Sequence, residues 1–204
     1  AAYRRVYLDL YAAGCRNIQL DDCTWGMIVD EEGYWKMREG DGATLEKEAE
    51  RYLKVNNLSL ENLPEDLVVN THICRGNYHS TYASSGPYDK VAPYVFAQEK
   101  VESFYLEYDD KRSGNFTSLK EIPRGKKVVL GLITSKRPEL ESKELIKRRI
   151  YEASQYVPLR DLYLSPQCGF ASCEIGNKLT EEEQFAKLRL VKEIAEEVWG
   201  AEEA

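Results

Sequence analysis

His72 and Cys74 stand two residues apart, and they open the case for a metal site. On an extended strand, side chains at i and i+2 face the same way, so an imidazole nitrogen and a sulfur converge on one point. Glu107 ends a later β-rich run and Cys168 lies just past another, which adds a carboxylate and a second sulfur. One nitrogen, one oxygen and two sulfurs suit tetrahedral zinc, with Zn–S near ~2.3 Å and Zn–N near ~2.0 Å. A thiol with a pKa near ~8.5 is mostly protonated at neutral pH, and zinc favours its nucleophilic thiolate. A zinc ion so held would act as a Lewis acid, and activation of a thiol is one of the reactions open to it. A plainer reading stands beside it: free cysteine is commonly a small buried hydrophobe, and Glu107 can simply begin the acidic turn Tyr108-Asp109-Asp110. Recurrence at successive strand ends brings the metal reading level with the plain one.

These side chains need elements to carry them. Val6, Leu10 and Ala13 have helical spacing and run into a glycine, which predicts a helix over Tyr3 to Gly14. Asn17 to Asp22 reads as a strand, and Cys23-Thr24-Trp25-Gly26 as a loop. The glycine-punctuated connection from Met27 to Gly42 is long, as functional loops tend to be. A helix capped by Thr44 then runs to Val55. From there strand and helix alternate: Leu67 to Cys74, a helix around Val91 to Lys100, Ser103 to Glu107, Lys127 to Ile133, a helix over Ser142 to Gln155, then Leu162 to Ser165. The last helix, Thr180 to Trp199, opens with the capping box Thr180-Glu181-Glu182-Glu183. Five strands, each followed by a helical segment, predict an α/β fold with a parallel sheet. Asp21, His72, Cys74, Glu107 and Cys168 fall at or just beyond C-terminal strand ends, where α/β barrels and open α/β sheets place their sites. A complete (β/α)8 barrel takes about 250 residues, so five strands point to part of one.

Bulk properties narrow the partners. A chain of 204 residues fits a single domain, 1–204. Its net charge is −7 and no Lys/Arg block is long enough to track a phosphate backbone, which argues against nucleic acid. Apolar runs such as Val128 to Ile133 are strand-sized, far short of the roughly 20 residues of a membrane helix. Five cysteines in no regular framework suit a reducing compartment, and the cytoplasm is expected. The opening Ala1-Ala2-Tyr3-Arg4-Arg5 has neither an initiator Met nor a secretory leader, as expected inside a longer product.

The segments Gln19-Leu20-Asp21-Asp22, Thr71-His72-Ile73-Cys74, Leu106-Glu107 and Ser165-Pro166-Gln167-Cys168-Gly169 resemble, in order and spacing, the catalytic half of the cobalamin-independent methionine synthase family. The resemblance is strongest to short bacterial relatives that lack the N-terminal duplicate barrel, and it covers essentially the whole chain. It implies a (β/α)8 barrel of the TIM type, of which this chain covers roughly the last five βα units. It implies zinc on His72, Cys74, Glu107 and Cys168, and Asp21 against the amino group of homocysteine. The implied reaction is methyl transfer to homocysteine from methyltetrahydrofolate or a related donor, giving methionine. Five strands of eight would leave two open edges and apolar lumen side chains facing water. A second copy, or a chain supplying the missing strands, is thus an expected partner. One departure concerns proton supply: the family has a histidine after the strand matching Val128 to Ile133, and this chain reads Thr134-Ser135-Lys136-Arg137-Pro138.

Two rival readings use the same residues. One is a zinc alkyltransferase acting on another thiol, such as coenzyme M, or using a corrinoid donor; Asp21 speaks for a substrate bearing an ammonium group instead. The other is a non-catalytic zinc-binding fragment or a subunit completed by a partner chain. Of the remaining candidates, His79 reads as a solvated loop histidine, and Cys15, Cys23 and Cys173 as structural or incidental. Tyr82, Tyr88, Tyr105 and Tyr108 read mainly as packing residues.

Overall fold

The structure, a computed structural model, describes residues 2–171 and 173–200. Strands β1 (Asn17–Asp22), β2 (Val68–Ile73), β3 (Ser103–Glu107), β4 (Lys127–Ile133) and β5 (Leu162–Pro166) form one parallel sheet in sequence order. A doubly wound sheet reverses its order at a switch point. Unbroken sequential order belongs to a barrel wall, and these are five strands of one, with β1 and β5 at the edges. The register sets the functional rim: Asp21 lies beside His72, His72 beside Tyr105, and Glu107 beside Gly131.

One face of the sheet is apolar and covered by helices. Phe104, Leu106, Val128, Leu130 and Leu162 merge with Ile146, Ile150, Leu190 and Ile194 into one buried cluster, each such side chain contributing about 1.5–3 kcal/mol when fully buried. The opposite face lines an open groove with Asn17, Asn70, Ser103, Tyr105 and Ser165 beside Val129 and Tyr163. Asn70 Nδ2 donates to Asn17 Oδ1 across it at 2.7 Å. The expectation of an apolar lumen is thus corrected: its side chains are mostly polar and tolerate water.

Helices α1 (Ala2–Ala12), α3 (Leu45–Ser59), α5 (Lys143–Ala153) and α6 (Glu181–Trp199) follow the sequence reading, with caps at Thr44 and Ser142 and the Thr180/Glu183 capping box. Three expectations are corrected. Cys23–Ile28 forms a helix, α2, because Asp22 caps it by accepting from the Thr24 N–H at 3.0 Å. The connection after it contains a π-helical turn, Glu31–Trp35, capped by Asp30. The fourth helix, α4 (Val95–Gln98), is shorter than predicted, the residues before it forming hydrogen-bonded turns; β3 is followed by two short 3-10 turns. No helix among the described residues is long and apolar enough to cross a membrane.

Two carboxylates share a buried pocket behind β1. Asn56 Nδ2 donates to Asp22 Oδ2 at 3.0 Å and to Glu99 Oε1 at 2.9 Å, and the Tyr52 hydroxyl donates to Asp22 Oδ1. Burial first, and the charge of Asp22 second, push the Glu99 carboxyl up to about 8. In the unfolded chain a glutamate titrates near ~4.3. Between these values the folded chain keeps a proton that the unfolded chain has released, so Glu99 favours folding fully at low pH and loses that contribution as pH rises towards 8. Stability of Glu99→Gln, measured by urea unfolding across this window, should fall less steeply than that of the parent. Superimposable pH profiles would contradict the assignment.

Candidate metal centre

His72, Cys74, Glu107 and Cys168 meet at the C-terminal rim, each offering one ligand atom within 4.8 Å of the others. His72 Nδ1 lies 3.2 Å from the Tyr105 carbonyl oxygen, to which it donates as the Nδ1–H tautomer. That fixes the ring with Nε2 inward, 3.9 Å from Glu107 Oε1. Nε2 is buried and has no hydrogen-bond partner among the described residues, a costly condition that a cation would relieve. The Cys74 and Cys168 sulfurs are 4.0 Å apart. A disulfide needs ~2.05 Å, whereas two thiolates on tetrahedral zinc stand about 3.8 Å apart. The donor set and spacing therefore fit zinc.

The supports explain why the atoms meet. Glu107 is fully buried and receives the Arg75 backbone N–H on Oε1 at 2.8 Å and Arg112 Nη2 on Oε2 at 2.7 Å. Arg112 also pairs with Asp109 and Asp110. Behind them Tyr88 holds the Glu107 backbone through its hydroxyl, and the Arg75 guanidinium stacks 4.1 Å over the Tyr88 ring. Cys168 arrives on the loop after β5. Gln167 and Ser135 hydrogen-bond to each other, and Ser135 Oγ and Asn77 Nδ2 both donate to the Gly169 carbonyl. The loop crosses close over β4, where a Cβ on Gly131 would stand 2.7 Å from Gln167 Cα. Likewise a Cβ on Gly26 would stand 2.2 Å from the Cys74 carbonyl oxygen. Glycine at both places lets backbone approach the ligand-bearing segments.

Charge is shared across the cluster. The contact between the Cys168 and Cys74 sulfurs, with His72 and the Gly76 N–H, holds the Cys74 thiol below the ordinary range despite burial, and the Cys168 thiol moves up correspondingly. Burial works against a charged His72, yet Cys74, Glu107 and Asp21 together raise its pKa. Burial raises Glu107 as well, against the pull of Lys136 and the Arg75 N–H.

All four residues expected at the metal are brought together, and Asp21 stands at the same rim, in a group with Cys23 and Cys74. Burial, then the neighbouring Cys74, raise the Asp21 carboxyl above the ordinary range. Cys23, read as incidental, is held beside Cys74 by α2. His79 sits in a turn with φ of +45° and is not among the four grouped ligands; it is half-buried, with Nδ1 buried, so it is less solvated than expected. Tyr88 and Tyr108 are core residues with no exposure, as expected for packing. Sequence reasoning missed Lys136, which it met only as the place of an absent histidine: its side chain is 8 % exposed and its Nζ lies 3.9 Å from Glu107 Oε2. It stands three residues beyond the end of β4, with no sequence signal of its own to mark it.

Fold and site together define an α/β barrel protein with sulfur, imidazole and carboxylate groups gathered at the C-terminal ends of its strands. The sequence profile of the cobalamin-independent synthase catalytic domain matches residues 1–197, and the chain belongs to that family. It is 48 % identical over 199 residues to the uncharacterized protein YxjG of Bacillus subtilis, a match covering 97 % of this chain and 52 % of YxjG. A Listeria monocytogenes structure assigned as a vitamin B12-independent methionine synthase superposes with a TM-score of 0.75 at 41 % identity, covering 98 % of this chain and 54 % of that one. The structure of a B12-independent methionine synthase from Shewanella sp. W3-18-1 in complex with selenomethionine shares the fold, with a TM-score of 0.69 at 22 % identity, covering 97 % and 52 %. The chain spans about half the length of the curated relatives it matches most fully.

Proposed function

We propose that this chain carries the thiol-activating centre of a zinc-dependent methyltransferase. His72, Cys74, Glu107 and Cys168 hold the ion, homocysteine is the acceptor, and methyltetrahydrofolate or a related methylated carrier is the donor. The observation that supports this most is the buried, unpartnered His72 Nε2 aimed at two sulfurs and a carboxylate, in a member of a methionine synthase family. When bound, zinc supplies a Lewis acid that favours the ionised form of a thiol. The protein's part is to place and desolvate: Tyr105 orients the imidazole, the Arg75 N–H and Arg112 fix the carboxylate, and the Ser135–Gln167 pair fixes the second sulfur.

Asp21 is the group we assign to the substrate ammonium, because it lies beside His72 in register and beside Cys74 in space. An ammonium there would offset the burial that raises its pKa. Asp21→Asn should bind homocysteine about tenfold more weakly or worse, with zinc content unchanged. Calorimetry on the zinc-loaded protein measures both quantities, and an unaltered affinity would remove Asp21 from the substrate site.

We further propose that residues 1–204 act as one domain in the cytoplasm and that additional βα units pair with β1 and β5. Open parallel edges invite such pairing. They would come from more of the same polypeptide, from a second copy or from a partner chain. The 204-residue chain alone should therefore run above its 23.5 kDa monomer mass in light scattering and turn over weakly. A stable monomer with full unaided activity would contradict this.

A further inference from the structure

We propose that Lys136 is a positioning residue that balances the charge of the centre and so admits an anionic sulfur ligand; this rests on the thiol-activating reading above. The cluster gathers two cysteine sulfurs and a carboxylate around an imidazole. Cations packed against it differ in what they can still offer. Arg112 divides its guanidinium among Glu107, Asp109 and Asp110. Arg75 turns its guanidinium away, to the Gly86 carbonyl and the Tyr88 ring. Lys136 differs from both: its side chain is 8 % exposed, its Nζ stands 3.9 Å from Glu107 Oε2, and that Nζ has no hydrogen-bond partner among the described residues.

A buried ammonium with three donors unused is expensive to keep, and a purely structural lysine is expected to satisfy them. What would repay the cost is further negative charge in the centre. Cys74, Cys168 and Glu107, all ionised, bring three negative charges to a doubly charged ion, and a substrate thiolate brings a fourth. Charge of one sign accumulating at short range in a dry site repels the next anion strongly, and a fixed ammonium on the far side of Glu107 lowers that repulsion. A neutral sulfur ligand, such as the thioether of methionine, gains nothing comparable from it. Lys136 thus sets a preference for a thiolate over a thioether built on the same amino-acid backbone.

The test compares homocysteine and methionine binding to the zinc-loaded protein by calorimetry at one fixed pH, in Lys136→Met, Lys136→Arg and the parent. Lys136→Met should bind homocysteine about 10- to 100-fold more weakly while methionine affinity stays within about twofold, and Lys136→Arg should recover most of the loss. If Lys136→Met does not fold, Lys136→Gln removes the charge while keeping a polar side chain and is read in the same way. Equal losses for both ligands would show a merely structural lysine and overturn the proposal. Parent-like homocysteine affinity in a zinc-loaded Lys136→Met would overturn it while leaving the zinc reading intact. A parent protein that takes up no zinc would overturn both.

Discussion

Cys74→Ser and Cys168→Ser are each expected to lose zinc affinity by more than about 100-fold. Even partners outside the ligand shell are worth about 10- to 100-fold in metal affinity, and these substitutions remove a soft sulfur from the shell itself. The two sulfurs are 4.0 Å apart, and neither has another cysteine placed to complete the same four-atom set: Cys23 shares a group with Cys74 and Asp21 but not with Cys168. Cys15→Ser and Cys173→Ser leave the set untouched and should keep about one zinc per chain. Metal content of the purified variants, with affinity by chelator competition, checks the prediction. Undiminished zinc in both Cys74→Ser and Cys168→Ser would place the ion elsewhere or nowhere.

Arg112→Met should cost about 3–5 kcal/mol of folding stability, the range for breaking a buried ion pair by removing one partner. Its guanidinium is the hydrogen-bonding cation for Glu107 and Asp109, whose side chains are 0 % and 1 % exposed. Removing it leaves Glu107 Oε2 and Asp109 Oδ1 without a hydrogen-bonded cation, and Lys136 at 3.9 Å is too far from Glu107 to replace a 2.7 Å bond. The Arg5–Asp9 pair has both side chains largely in water, 84 % and 71 % exposed, and Arg5→Met should leave stability within error because screened surface pairs contribute little. Urea unfolding of metal-free protein makes the comparison. An Arg112→Met variant as stable as Arg5→Met would mean that the buried network is not holding Glu107. The same variant should also bind zinc less well, since a mobile Glu107 must be ordered on binding.

Much of this was legible in the residues. Strand alternation predicted a parallel sheet, and the position of each polar residue at a strand end predicted a shared rim, where the four candidate ligands lie close together. The Thr44, Ser142 and Thr180 caps set helix starts because a side-chain oxygen near an orphan N–H is a local event. What escaped was tertiary. Whether Asp22 caps a helix or ends a loop depends on Thr24 turning back to it, which residue types alone do not show at α2. The requirement for glycine at 26 and 131 shows only in the backbones that cross them. Lys136 carried no periodicity at all; only the position of Glu107 shows that its side chain is drawn into the protein. An incomplete barrel is expected to open apolar lumen side chains to water, and Asn17 and Asn70 show a hydrogen-bonded lumen instead.

The central claim is that the four residues bind zinc and that the centre takes a thiol. X-ray absorption at the zinc edge tests it most directly, on the purified protein before and after saturation with homocysteine. The account predicts two sulfur neighbours near ~2.3 Å with one nitrogen and one oxygen near ~2.0 Å, and one additional sulfur after homocysteine is added. A shell of nitrogen and oxygen alone, or a sulfur count that homocysteine leaves unchanged, would contradict it.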